Sequence, residues 1–330
     1  MIKHLIFSVF LLFFALALGA DAKIIYVNNM IGDDASRGLR EDPTTDRSGP
    51  VKTIQRALEL AGSSDTIMLA SNAEPYRESV SLCGLRNSGT STLPFRIVGN
   101  GATLDGTQPI SPLAWRHYEG HVFRFRPPLF STLQLFVSGR PIKRVPVDAS
   151  GEFGGPQKTL KKLEWCLVDG YVYLCLEKGF APVDYDLTYS ALKTGITARH
   201  VRHVVIENVT VQGYHVDGIH VQGRVKDLVL LNTTTRGCGR AGMAVGSAEV
   251  RLERVLSGNN GEAQLLTLPD CKVEIVGSDL MGNTAPAWVA SMSGYLGEVD
   301  DLYESCQVYV DKKRIWKPFR DLLPDGKIEF

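Results

Sequence analysis

Val204-Val205-Ile206-Glu207-Asn208 is followed by Leu228-Val229-Leu230-Leu231-Asn232, then by Val250-Arg251-Leu252-Glu253-Arg254 and by Val273-Glu274-Ile275-Val276-Gly277. With Ile206, Leu230, Leu252 and Ile275 taken as equivalents, the steps are 24, 22 and 23 residues. A period of that size in short branched-apolar segments is one coil of a strand solenoid. No such coil buries its own apolar side, so each must stack on its neighbours.

Each period has internal order. Val209-Thr210-Val211 follows Asn208 and Thr233-Thr234-Thr235 follows Asn232, each a second short strand. After a polar loop, a third strand opens with glycine: Gly218-Ile219-His220-Val221, then Gly242-Met243-Ala244-Val245 24 residues on. Three strands and three turns per coil result. Asn visits the left-handed region at low cost, so it turns the chain sharply, and stacked Asn amides hydrogen-bond from rung to rung. Arg254 and Gly277 hold the Asn place in later copies, so the ladder is expected over two rungs only. This pattern resembles the right-handed parallel β-helix of the pectate-lyase-like superfamily. The resemblance implies an all-β solenoid and puts Asn208 and Asn232 at the tight corner between that superfamily's second and third strands.

Residues 1–22 read as a secretory signal. Lys3 and His4 precede the apolar run Leu5 to Leu18, and Ala20-Asp21-Ala22 is a small-x-small cleavage site. The alternative is a membrane anchor, but the run of 14 residues falls short of the roughly 20 that span a bilayer. A secreted or periplasmic chain with no stable membrane insertion after cleavage is expected.

Residues 23–105 read as an N-terminal cap and first coil: strands at Ile24–Val27, Thr66–Leu69, Ser79–Leu82 and Pro94–Val98. Between the first two lies a helix opened by Gly49-Pro50, with Ile54, Ala57, Leu58 and Ala61 on one face. Such a helix would close the open end of the solenoid. Lys52-Thr53-Ile54-Gln55, Asp65-Thr66-Ile67, Tyr76-Arg77-Glu78 and Leu104-Asp105-Gly106 resemble the N-terminal region of bacterial secreted β-helix proteins. The resemblance implies structural roles for Arg77, Glu78 and Asp105.

The period breaks over residues 106–186, where Phe123–Arg126, Leu133–Val137 and Trp165–Leu176 around Asp169-Gly170 read as antiparallel hairpins of a β-rich insert. Leu135–Arg140 and Val172-Tyr173-Leu174 with Trp165 resemble the insert of large β-helix glycoside hydrolases. Coils resume over residues 187–294, and residues 295–330 read as a C-terminal cap of strand pairs. A two-residue turn at Asp169-Gly170 sets Cys166 opposite Tyr173, leaving Cys175 two residues out of register for a disulfide. With Cys83, Cys238, Cys271 and Cys306, mostly buried free thiols are expected.

Thirty-six basic residues balance 36 acidic ones, which excludes a generic polyanion binder and argues against a nucleic-acid partner. A polysaccharide or oligosaccharide partner and a monomer are expected. No motif requires a cofactor. Calcium is the one cation considered, at Asp300-Asp301.

The densest chemistry lies at His215-Val216-Asp217-Gly218-Ile219-His220. Its Asp-Gly resembles the Asp-Gly of polygalacturonases, whose paired Asp, Gly-His-Gly and Arg-Ile-Lys are absent here. Hydrolysis of a glycoside needs two carboxylates, for which Asp217 and Glu262 are the candidates, about two rungs or 10 Å apart. Elimination on a uronate needs a cation and a base, for which Arg240 and His215 or His220 serve. His220 faces outward if Ile219 is core. Trp288 is the candidate sugar-stacking residue. Against these stands the reading of Asp217 as a turn residue and Trp288 as core. The chain is thus expected to be an exported polysaccharide lyase or glycoside hydrolase, or else a non-catalytic glycan-binding or cell-envelope β-helix protein.

Overall fold

The computed structural model describes residues 22–129, 131–145, 160–280 and 307–315. The expected signal segment apart from Ala22, Trp288, Asp300-Asp301 and Cys306 lie outside them.

One column of side chains organises the structure. Ile25 pairs with Ile67, Ile67 with Ile97, Ile97 with Ile206, and then Leu230, Leu252, Ile275 and Val310 follow rung by rung in parallel register. The four residues set equivalent by their spacing are therefore stacked neighbours, and from Ile25 to Ile275 every member of the column is buried. Burying a branched aliphatic side chain contributes about 1.5–3 kcal/mol, which no isolated coil could collect.

Three parallel faces surround this core. The back face runs from Ile24–Val27 through Thr66–Leu69 and residues 95–98, 204–207, 228–231 and 250–253 to Lys272–Val276 and Gln307–Val310. A side face stacks residues 102–105 and 209–212 with Thr234–Arg236, Leu256–Gly258 and Asp279–Leu280. The front face stacks Val80–Cys83, Thr194–Arg199, residues 217–222, residues 241–246 and Ala263–Thr267.

The corner between back and side faces is a column of left-handed residues: Asn100, Asn208, Asn232, Arg254 and Gly277, with φ from 48° to 53°. The Asn232 amide donates to Asn208 Oδ1, so the ladder has the expected two rungs. Asn100 does not extend it, because its amide goes to the Leu69 carbonyl at 3.0 Å. Alanine at 232 would lose that bond and keep a left-handed φ, so Asn232→Ala is expected to cost about 1–2 kcal/mol and Asn232→Gly less, read as urea midpoints.

The N-terminal helix is shorter than expected. It spans Ile54–Leu60 behind Thr53, whose hydroxyl accepts from Arg56 N–H at 3.1 Å. Pro50 and Val51 do not open it, because Val51 N–H donates to the Tyr26 carbonyl and its carbonyl accepts from Asn28, which ties the segment to the first strand. Glu78 instead accepts the first free helix N–H groups, from Ile54 at 2.9 Å and Gln55 at 3.0 Å. Burial still pushes its carboxyl pKa up. Arg77 binds the Thr107 carbonyl and Asp105 accepts from Thr107 N–H, so all three residues hold backbone in place.

Between residues 105 and 194 the chain leaves the coil. One sheet joins Arg116–Glu119, Val122–Phe125, Tyr171–Cys175, Glu164–Val168 and Lys143–Arg144; only the last pair is parallel. The second joins Thr107–Pro109, Leu187–Ser190, Leu135–Val137 and Arg140–Pro141. Trp115, Phe125, Trp165 and Leu174 form their own core. Cys166 faces Tyr173 as the turn dictates. Cys83, Cys166, Cys175 and Cys238 are free thiols, and Cys166, Cys238 and Cys271 are buried. Cys83 is exposed, because it takes an outward position on a strand whose buried members are Val80 and Leu82.

Candidate functional site

The front face positions the chemistry. Ile196, Ile219, Met243 and Leu265 stack inward and are buried, so alternation turns Thr197, His220, Ala244 and Leu266 outward. Glycine opens these strands because the interior is already full. A Cβ on Gly242 would lie 2.3 Å from Ser257 Oγ and 2.5 Å from Thr235 Oγ1. One coil on, Gln264 takes the equivalent place, and its amide oxygen accepts from Asn260 at 2.7 Å. The turn before each strand stacks as well: Val216 N–H donates to Lys193 O, Arg240 N–H to Val216 O, and Glu262 N–H to Arg240 O, at 2.7–2.8 Å.

Asp217 is 1% exposed, at the edge of that face. His220 Nδ1 donates to its Oδ2 at 2.7 Å, and Arg240 Nε donates to its Oδ1 at 2.8 Å while Nη2 reaches Oδ2. Burial alone would raise the Asp217 carboxyl. The hydrogen bonds from His220 and Arg240, with the guanidinium charge, outweigh it and hold the group below the ordinary carboxylate value. Hydrogen bonding to Asp217 raises the Arg240 pKa in turn, with the nearby charge of Glu262 adding to it. Asp217 is thus an ionised carboxylate with both oxygens engaged.

Of the five residues singled out from the sequence, Asp217, His220 and Arg240 converge. His220 Nε2 lies 3.2 Å from Gln222 Oε1 at the outer surface. Glu262 is exposed, beside Arg240 and one turn farther along the stack. His215 is buried and faces away from the carboxylate: Nδ1 donates to the Ser190 carbonyl at 3.2 Å and Nε2 lies 3.1 Å from Ser131 Oγ. Burial lowers the His215 pKa.

Lys193, Gln222 and Ser131 escaped the sequence reading. Thr194-Gly195-Ile196-Thr197 precedes Asp217-Gly218-Ile219-His220 by 23 residues, a further glycine-led copy that would have placed Lys193 in the stack. Nothing in the sequence ties Ser131 to His215. Among the described residues, no group of three or more His, Cys, Asp or Glu residues is arranged to hold a metal ion, and no helix is long and apolar enough to cross a membrane.

No family model and no curated protein matches the sequence. Solved structures do. A XylC–xylose complex superposes with a TM-score of 0.50 at 14% identity, over 79% of this chain and 58% of its own. The fold is a right-handed parallel β-helix. A glycoside hydrolase matches over 78% of this chain and 79% of its own, at 14% identity and a TM-score of 0.43. Pectate lyase Pel9A matches over 86% and 57%, at 12% identity and a TM-score of 0.39. The chain spans a little over half the length of the XylC structure.

Proposed function

We propose that the chain is an exported carbohydrate-active protein that takes a polymeric glycan along its front face and cleaves it by β-elimination at a uronate residue. The observation that carries this reading is the buried, ionised Asp217 that fixes Nδ1–H of His220 and holds Nε2 at the surface, where it becomes a base once substrate displaces the Gln222 amide oxygen from it. A general base needs such an arrangement: one ring nitrogen fixed by a carboxylate, the other directed at the substrate. In the step, Nε2 takes the proton from the carbon next to the uronate carboxylate. The C–H electron pair forms the new C=C bond, the C–O bond to the leaving sugar breaks, and that oxygen takes a proton from solvent. Lys193 and the remaining Arg240 nitrogen would neutralise the uronate carboxylate.

Hydrolysis by two carboxylates fits less well, because Asp217 is enclosed with both oxygens bonded to His220 and Arg240, so neither is free to activate water or attack a sugar. Residues 1–22 support export, and cell fractionation tests it.

The decisive experiment is a screen of the purified chain against uronate-containing and neutral polysaccharides, with and without calcium, following absorbance at 235 nm and reducing ends together. A rise in both supports elimination; reducing ends alone would replace it by hydrolysis. His220→Gln is expected to lower the 235 nm rate by about 10²–10⁴-fold with the circular dichroism spectrum retained. An unchanged rate removes His220 from the chemistry.

A second reading rests on the Gln222 amide, which partners His220 Nε2 at 3.2 Å. On that reading the front face binds neutral glycan without turnover, which a glycan array with no signal in either cleavage channel would establish.

A further inference from the structure

Ser131, His215 and Ser190 come together where the insert rests on the turn that leads into residues 217–222. Ser131 is exposed, and its Oγ lies 3.1 Å from His215 Nε2. On the other side of the ring, Nδ1 lies 3.2 Å from the Ser190 carbonyl oxygen. A carbonyl only accepts, so Nδ1 carries the proton, Nε2 presents its lone pair, and the Ser131 hydroxyl donates to it.

The ring is held from both sides. Ser190 is fully buried, its N–H donating to the Gln134 carbonyl and its hydroxyl accepting from Gln134 N–H, each at 3.0 Å. The His215 main chain donates to the Leu192 carbonyl at 2.8 Å and accepts from the Thr132 hydroxyl. The base is therefore fixed by the coil, while the nucleophile's loop is fixed to the base. Neither contact involves Asp217, whose partners are His220 and Arg240.

We propose that Ser131 and His215 form a second active site, a serine nucleophile with its general base, that hydrolyses carboxylic esters such as O-acyl groups on sugar hydroxyls. A nucleophile bonded to a base, and that base oriented by a third group, is the arrangement such chemistry requires. The Ser190 carbonyl does the orienting that a carboxylate does in a Ser-His-Asp triad. Nε2 takes the Ser131 proton as Oγ bonds to the acyl carbon, the ester C–O bond breaks, and the alcohol leaves with the proton from His215. Water, deprotonated by His215, then attacks the acyl-serine, releasing the carboxylic acid and returning the proton to Ser131.

The test uses a fluorophosphonate probe and p-nitrophenyl acetate on the intact chain, so it is independent of any glycan. Mass spectrometry is expected to find the phosphonyl group on Ser131 at a rate about 10²-fold above other exposed serines, as general-base assistance gives. Ser131→Ala, a change at an exposed position, is expected to abolish both labelling and p-nitrophenyl acetate turnover. The labelling rate should reach half its maximum below pH 6.5, because burial, with the charge of nearby Lys193, depresses the His215 imidazole against the Ser190 hydrogen bond that raises it. Labelling spread evenly over exposed serines, or turnover undiminished in Ser131→Ala, overturns the proposal. A midpoint above pH 6.5 also overturns it, since the base would then not be the buried His215. Silence of this site leaves the 235 nm assay untouched, and the reverse holds too.

Discussion

Asp217→Asn is expected to lower the unfolding free energy by about 3 kcal/mol, the lower part of the range for removing one partner of a buried ion pair. The lower part applies because water still reaches Arg240, whose side chain is 28% exposed, while Asp217 is wholly enclosed. Changing Arg240→Met in the same chain should restore part of the loss, because no guanidinium is then left without its carboxylate. The wild type carries a pH signature. Its folded Asp217 carboxyl lies below the ordinary value, so the stabilisation is fully present above about pH 4, the unfolded carboxylate range, and is lost as pH falls through the folded value. Urea midpoints measured from pH 6 to pH 2 should therefore fall more steeply for the wild type than for Asp217→Asn. Equal slopes would mean that Asp217 is not held ionised by His220 and Arg240.

Gly239→Ala is expected to cost about 3–4 kcal/mol by forcing two backbone segments apart. A Cβ there would lie 1.9 Å from the Thr132 carbonyl oxygen and 2.2 Å from that of His215. Both atoms are main chain, so no rotamer relieves the contact. The insert must lift from the coil, and amide hydrogen exchange over residues 133–137 should accelerate more than over residues 228–231. A stability loss below about 1 kcal/mol would show that this junction yields easily.

Much of the coil was legible because its cause is periodic. Ile206, Leu230, Leu252 and Ile275 recur since every rung must offer one branched side chain to the same column, and Asn208 and Asn232 mark the corner where the left-handed turn falls. His220 was readable for the same reason, since inward Ile219 settles its direction. The partnership of His215 was not readable. Its neighbours Ser131 and Ser190 come from an insert whose placement depends on aromatic packing and backbone contacts with no period. The helix start was misjudged because Gly49-Pro50 is a strong local signal, whereas Val51 is claimed by a strand more than twenty residues earlier. The role of Arg240 was legible only in part: its distance from Asp217 in the stack follows from the period, but its engagement of both carboxylate oxygens does not.

The insert also has a kinetic consequence. From Ile206 to Ile275 successive back-face rungs are joined by loops of one period, but Ile97 meets Ile206 across about a hundred residues. Closing that longer loop costs about 1.4 kcal/mol more entropy than closing one period. Residues 202–276 can zip locally, while docking of the N-terminal rungs onto them waits for the excursion between them to collapse. The coils over residues 202–276 are therefore expected to form before the two halves of the stack join.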